Sequence, residues 1–181
     1  MSDLSFRDAG ASDVPAIVAL VESAYRGEAG RKGWTTESDL LDGQRTDDAE
    51  VLALVTKPDS RLLVAERGGS LVACCHVQRH DDVCHFGMFS VAPGKQRGGL
   101  GKSVLREAER VAVAWGCGVM RMSVIDVRVE LVAWYERRGY RRTGVYEPFP
   151  YGDARFGLPR RPDLRFEVMD KPIGETLVAS R

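Results

Sequence analysis

Apolar residues recur every three to four positions along several stretches of the chain, which is the pattern of an amphipathic helix. One stretch begins at Asp13, a residue type that caps helices, and continues to about Arg26. The same spacing predicts helices over 47–56, 100–115 and 129–138. A further helical stretch is expected to begin after Thr36, where Asp39 provides a capping signal three residues later.

Runs of apolar and β-branched residues between these helices indicate strands. The strands are predicted at 4–9, 61–66, 71–80, 83–91, 119–125, 140–146 and 164–171. Gly68-Gly69 is expected to join two of them as a hairpin. The connection "EPFPYGDARFGLPRRPD" (147–163) is rich in Pro, Gly and Arg, and connections this long in a compact domain are often functional.

The order of these elements predicts one domain over residues 1–181, without internal repeats or a linker. The fold class is α/β of the α+β type, with helices, an antiparallel meander, a β-α-β-α segment and a closing hairpin. Lys plus Arg and Asp plus Glu both number 26, so the formal charge is zero. This balance disfavours a nucleic-acid or membrane-surface partner, and without a signal-like or membrane-spanning segment we expect a cytoplasmic protein.

The four cysteines, Cys74, Cys75, Cys84 and Cys117, are expected to be small buried hydrophobes in a reducing compartment. Cys74 and Cys75 are adjacent on a predicted strand and therefore point to opposite faces. The chain has no C-x-x-C pair and no helical histidine pair. No metal site is predicted.

The glycine-rich stretch "SVAPGKQRGGLGKSVL" (90–105) has the composition of a phosphate-binding loop between a strand and a helix. An ATP-binding loop would need glycine at Gln96 and several further βα units downstream, and a dinucleotide fingerprint would need glycine at Val104. A simple glycine turn remains an alternative, although Gly99 and Gly101 should each cost the helix roughly 1 kcal/mol. A pyrophosphate held by backbone N–H groups at the helix N-terminus explains these glycines better.

Two segments give a specific resemblance. "FSVAPGKQRGGLGKSVL" is similar to the acetyl-CoA motif of the GCN5-related N-acetyltransferases (GNAT), and "LVAWYERRGYRRTG" resembles the second motif of that family. The resemblance implies a mixed, mostly antiparallel, splayed sheet of about six or seven strands flanked by about four helices.

The same resemblance implies acetyl-CoA as cosubstrate in the gap of the sheet. The pantetheine arm would pair with the strand before the loop, and the diphosphate would lie on residues 97–102. The implied cofactor-binding residues are Phe89, Val91, Gln96, Arg97, Gly98, Gly99, Leu100, Gly101, Lys102 and Ser103.

The implied activity is acetyl transfer to a primary amine of a small molecule by direct attack. Tyr135 matches the general acid of the second motif, whereas Arg128 and Leu131 stand where the family often has Asn and Ala. The base stays open between His85, Glu37 and a chain of waters. Period-two alternation puts His85 on the same face of its strand as Phe89 and Val91.

The acceptor amine is expected to contact the segment "YRGEAGRKGWTTE" (25–37) and the 147–161 loop. Tyr25, Trp34, Glu37 and His85 are the candidate substrate residues, and the arginines of these segments would suit an amine that also carries a carboxylate. The same aromatic and arginine residues could instead form the contacts of a homodimer. A CoA-binding sensor without catalysis is the competing function. The retained Tyr135 favours an enzyme, whereas the lack of a glutamate on strand 83–91 favours the sensor.

Overall fold

The computed structural model describes residues 3–26, 37, 39–96 and 98–174. Seven strands form one sheet, and their bounds are Leu4–Asp8 (β1), Ser60–Arg67 (β3), Ser70–His80 (β4), Val83–Val91 (β5), Val119–Ile125 (β6), Arg141–Pro148 (β7) and Arg165–Pro172 (β9). Their order across the sheet is β1-β3-β4-β5-β6-β9-β7. Two short strands, Leu41–Asp42 (β2) and Leu158–Pro159 (β8), form a second, antiparallel pair.

The described residues include four α-helices: Val14–Tyr25 (α1), Asp48–Thr56 (α2), Leu100–Ala114 (α3) and Val129–Glu136 (α4). Each agrees within a few residues with a predicted helix. The helix expected after Thr36 is wrong over the described residues 39–46, which form a turn followed by β2. Leu41 is buried there beside Ile125 and Phe149, so tertiary packing overrides the capping signal.

Two apolar layers cover the two faces of the main sheet. The layer formed with α1 and α2 buries Ile17, Val21 and Val51. The layer on the opposite face buries the inner stripes of α3 and α4, including Leu100, Val104, Ala108, Leu131 and Val132. All four cysteines are buried and unpaired, as expected from the sequence. None of the described helices is long and apolar enough to cross a membrane.

The centre of the sheet is splayed. Every neighbouring pair of strands is antiparallel except β5 and β6, which run parallel. Their pairing covers only Val83–His85 against Val119–Arg121, after which the strands separate. The predicted fold, a mostly antiparallel splayed sheet of about six or seven strands flanked by about four helices, is confirmed.

A β-bulge interrupts β5 beside this separation. Cys74 pairs with Ser90 and His76 pairs with Gly87, so two residues of β5 lie opposite Cys75. Met88 has a φ of 46°, which places a non-glycine residue in the left-handed region. A bulge turns the strand locally and redirects the side chains that follow it.

Candidate active site

A cavity of about 110 Å³ opens where β5 and β6 separate. Its floor combines apolar side chains of both strands with residues from α1, α4 and the connections around them. The lining residues are Tyr25, Glu37, Arg45, Phe86, Gly87, Met88, Phe89, Met122, Ser123, Val124, Ile125, Arg128, Leu131, Tyr135 and Phe166. Two sequence-predicted substrate residues, Tyr25 and Glu37, and the predicted acid Tyr135 therefore meet in one cavity.

Tyr135 reaches this cavity from α4, one turn after Leu131. Its ring packs edge-on against Trp134 and Tyr140, with centroid distances of 5.1 and 5.8 Å. Burial raises the pKa of the Tyr135 hydroxyl, and the nearby Tyr25 adds to this effect while Arg128 opposes it. A hydroxyl with a raised pKa keeps its proton at neutral pH, so Tyr135 is neutral in the cavity.

Tyr25 fixes the end of α1 to the bulged part of β5. Its hydroxyl donates a hydrogen bond to the carbonyl oxygen of Phe89. Burial raises the pKa of this phenol as well, although Arg128 and Arg45 act in the opposite direction. Tyr25 therefore remains neutral and serves as a donor that orients the strand backbone.

Glu37 lies between two guanidinium groups. Its Oε2 accepts a hydrogen bond from Arg26 at 2.6 Å, and its Oε1 accepts one from Arg128 at 3.3 Å. Burial alone would raise the pKa of this carboxyl, but Arg128, Arg45 and Arg26 together lower it below its usual value. A carboxylate held ionised in this way is a weak base, which favours a structural role over the role of general base.

We expect Glu37→Gln to destabilise the fold by about 3–5 kcal/mol at pH 7, because it leaves two buried arginines without their counter-charge. The lowered pKa means that this stabilisation is complete above the unfolded value of about 4.3 and is lost as the pH falls through the folded value. Urea unfolding between pH 3 and 7 should show the wild type and the variant converging at the acidic end.

Glu66→Gln is the matched control, since Glu66 pairs with Arg7 on the surface and should cost less than about 1 kcal/mol. A loss for Glu37→Gln as small as that of the control would contradict the structural role. A difference in the free energy of unfolding between the wild type and Glu37→Gln that persists unchanged at pH 3 would contradict it as well.

The glycine loop leaves open space above the start of α3. Gly98 and Gly99 have φ values of 82° and 77°, and a Cβ on either residue would meet no atom within 4 Å. The first N–H groups of any helix have no intrahelical acceptor, so the loop presents donors and a partial positive charge to this space. These features fit a bound phosphate group.

The other predicted loop residues fall into different positions. Gly101 is buried, and a Cβ there would lie 3.2 Å from Phe89 and 3.5 Å from Trp134. Its missing side chain therefore serves helix packing, which corrects the expectation that it clears room for a phosphate. Leu100 is buried, so only its backbone can face a ligand.

Polar side chains complete the loop. Lys102 is exposed, and the Ser103 hydroxyl donates to the carbonyl oxygen of Gly99 at 3.2 Å. Gln96 donates from Nε2 to the carbonyl oxygen of Val91 at 3.2 Å, which ties the loop to the end of β5. Arg97 lies outside the described residues.

His85 does not reach the cavity lining. The bulge at Met88 interrupts the alternation, so Phe86, Phe89 and Val91 share one core layer while His85 points to the other face. The prediction that His85 shares a face with Phe89 and Val91 is wrong for this reason. Burial lowers the pKa of His85, with His80 and Arg121 adding to the effect. Trp34, the fourth candidate substrate residue, lies outside the described residues.

Two cavity residues carry no recognisable sequence signal. Arg45 comes from the connection before α2, and Ser123 comes from the middle of β6. Ser123 Oγ donates to Glu147 Oε2 at 3.0 Å, which links the cavity to a carboxylate on β7. Sequence reasoning missed these residues because a lone arginine in a loop and a serine in a strand are both common.

Comparisons with known proteins point in one direction. The profile of the family described as "Acetyltransferase (GNAT) family" matches residues 19–140. No curated protein gives a significant match. Among solved structures, the ribosomal-protein-S18-alanine N-acetyltransferase from Escherichia coli is 16% identical with a TM-score of 0.67, covering 94% of each chain.

Two other structures carry their cofactor. YncA from Salmonella typhimurium, solved with acetyl-CoA, is 18% identical with a TM-score of 0.69 and covers 96% of this chain and 95% of its own. The PaiA N-acetyltransferase from Thermoplasma acidophilum, solved with coenzyme A, is 14% identical with a TM-score of 0.65. The match covers 94% of this chain and 99% of the PaiA chain. At these identities the likeness establishes the fold.

Proposed function

This chain belongs to the acetyltransferase (GNAT) family, and from that premise we propose that it transfers an acetyl group from acetyl-CoA to a primary amine of a small molecule. The observation that carries the proposal is the position of Tyr135. Its protonated side chain lines a cavity at the separation of β5 and β6, and the open glycine loop follows directly after β5.

The residues around the separation fit acetyl-CoA. The N–H groups at the start of α3, together with the open space over Gly98 and Gly99, would hold the diphosphate. Exposed Lys102 would add a positive charge, and Arg97 stays a predicted contact. The backbone of Phe89 and Val91 would face the pantetheine arm, with Tyr25 and Gln96 holding the two carbonyl groups in place.

Acetyl-CoA supplies a thioester whose carbonyl carbon is open to attack by an amine and whose thiolate is the leaving group. The Tyr135 hydroxyl is the proton donor for that thiolate, because it is buried, neutral and part of the cavity wall. Apolar side chains such as Phe86 and Leu131 line the same cavity.

The amine must lose a proton before it can attack, and the cavity offers one route for it. Glu37 is held as an ion pair, and Tyr25 is a neutral donor. Ser123 lines the cavity and donates to Glu147, whose side chain is exposed to solvent. We propose that Ser123 Oγ accepts a proton from the bound ammonium group while its own proton passes to Glu147 and then to water.

We expect Glu147→Gln and Ser123→Ala each to lower kcat/KM by about 10²-fold below pH 7, since general base catalysis is typically worth 10²–10⁴-fold. The loss should shrink as the pH approaches the pKa of the amine, where free amine no longer needs the relay. Rate profiles from pH 6 to 10 measure this, with Glu66→Gln as a surface control.

The conservative variants Glu147→Asp and Ser123→Thr keep the chemical groups and should recover most of the rate at low pH. An equal loss at every pH, without recovery in these variants, would assign the pair a structural role only.

The proposed function itself is tested with a panel of amines. Release of free thiol from acetyl-CoA in the presence of one of them would support an enzyme. A rise in melting temperature with acetyl-CoA, combined with no thiol release from any amine, would favour the competing function, a CoA-binding sensor without catalysis. Stabilisation by ATP and not by acetyl-CoA would refute both.

A further inference from the structure

Arg45 differs in its pairing from the other arginines in and around the cavity. It lines the cavity and is half-buried, yet it makes no ion pair with any carboxylate in the described part of the chain. Its guanidinium carbon lies 5.4 Å from the ring centroid of Tyr25, a distance typical of a cation–π contact. The aromatic ring holds the side chain in place without neutralising it.

The carboxylates near Arg45 are already engaged. Glu37 is shared between Arg26 and Arg128. Glu22 accepts hydrogen bonds from the backbone N–H groups of Arg45 and Thr46 at 2.6 and 2.8 Å. Among the described residues, neither carboxylate makes a hydrogen bond or ion pair with the Arg45 guanidinium, whose charge acts on Glu37 over a longer distance.

The described arginines of the two segments that the sequence suggested for binding an acid group are paired. Arg26 pairs with Glu37 at 2.6 Å. In the long connection, Arg155 pairs with Asp153, Arg160 with Asp42 and Arg161 with Asp163, all at 2.5–2.6 Å. These arginines would have to break an existing ion pair to bind an anionic ligand. Arg45 forms no ion pair with a described carboxylate, so it could bind such a ligand without breaking one.

Arg45 lines the cavity without a hydrogen-bonded anion among the described residues, and an anionic ligand group would supply one. The guanidinium fork also matches the geometry of a carboxylate or phosphonate, which it binds through two parallel hydrogen bonds. We infer that the acceptor is a small amine that also carries an oxyanion, such as an amino acid, and that Arg45 binds this oxyanion. The inference rests on the proposed function and narrows its substrate.

Matched acceptors test this directly. Alanine, methionine and phenylalanine are each compared with their amide and their decarboxylated amine, and 1-aminoethylphosphonate distinguishes a phosphonate from a carboxylate. A charged hydrogen-bond pair should favour the preferred acid over its neutral counterparts by about 10- to 150-fold in kcat/KM.

Arg45→Gln should remove most of that preference, while Arg45→Lys should keep part of it. Both changes should lower kcat/KM far less for the neutral amines than for the acids, and should leave the Kd of acetyl-CoA nearly unchanged. Arg61→Gln, which disrupts a surface pair with Asp8, is the control.

The outcomes separate the two proposals. If the neutral amines are acetylated with the same kcat/KM as the acids, the inference about the acceptor is overturned, while the proposed acetyltransferase activity is supported. If Arg45→Gln weakens acetyl-CoA binding to the same degree as acceptor use, Arg45 belongs to the cofactor site and the inference is again overturned. If acetyl-CoA binds and no member of the panel is acetylated, both proposals fail.

Discussion

Tyr135→Phe should lower kcat by about 10²–10⁴-fold while leaving the affinity for acetyl-CoA nearly unchanged. The substitution removes only the hydroxyl, and a proton donor is needed only when the thiolate leaves. The ring contacts with Trp134 and Tyr140 are kept, so the cavity wall should not change shape. Steady-state kinetics and a binding isotherm on the same preparation separate the two effects.

Tyr140→Phe is the matched control for this experiment. Tyr140 is also buried, but its hydroxyl donates to Glu109 at 2.8 Å and takes no part in the cavity lining. Its loss should lower stability by about 1 kcal/mol without changing kcat. An unchanged kcat in Tyr135→Phe, with the chemical step shown to limit the rate, would remove Tyr135 from the mechanism.

Gly99→Asp should abolish acetyl-CoA binding. Gly99 is the N-cap residue of α3 with a φ of 77°, and its missing Cβ borders open space at the N-terminus of the helix. A carboxylate there would occupy the predicted diphosphate position and repel the phosphates. The melting temperature measured with and without acetyl-CoA gives the result, and the shift seen for the wild type should disappear.

Backbone strain and charge are separated by two further variants. Gly99→Asn has nearly the same shape as the aspartate without its charge, so it should keep part of the binding. Gly94→Asp places the same carboxylate at a φ of 82° in open space outside the predicted diphosphate-binding residues 97–102, and should bind acetyl-CoA like the wild type. If Gly99→Asp still binds as tightly as the Gly94 variant, the diphosphate does not lie over this helix.

Local patterns were sufficient for most elements of the fold. The amphipathic stripes of α1 and α3 and the glycines after β5 are properties of short segments, so sequence alone gives them within a few residues. The turn at 39–46 was missed because Leu41 is held by residues far away in sequence, including Phe149 and Leu164. Contacts of this kind leave no local trace.

The site was harder to predict than the fold for the same reason. Tyr135 was found through its motif, and the conformations at Gly98 and Gly99 fit the loop pattern. The bulge at Met88 cannot be read from alternation, and it reverses the face expected for His85. Arg45 and Ser123 become candidates only once the chain has folded, because their neighbours come from α1 and β7.

The separation of β5 from β6 gives this protein two strand edges in the middle of a sheet. Exposed edges invite pairing with other chains and are usually found, and guarded, at the rim. Here α1 and α2 on one side and α3 and α4 on the other cover the sheet around those edges. Helices that cover internal strand edges in this way lower the risk of pairing with other chains that open edges carry.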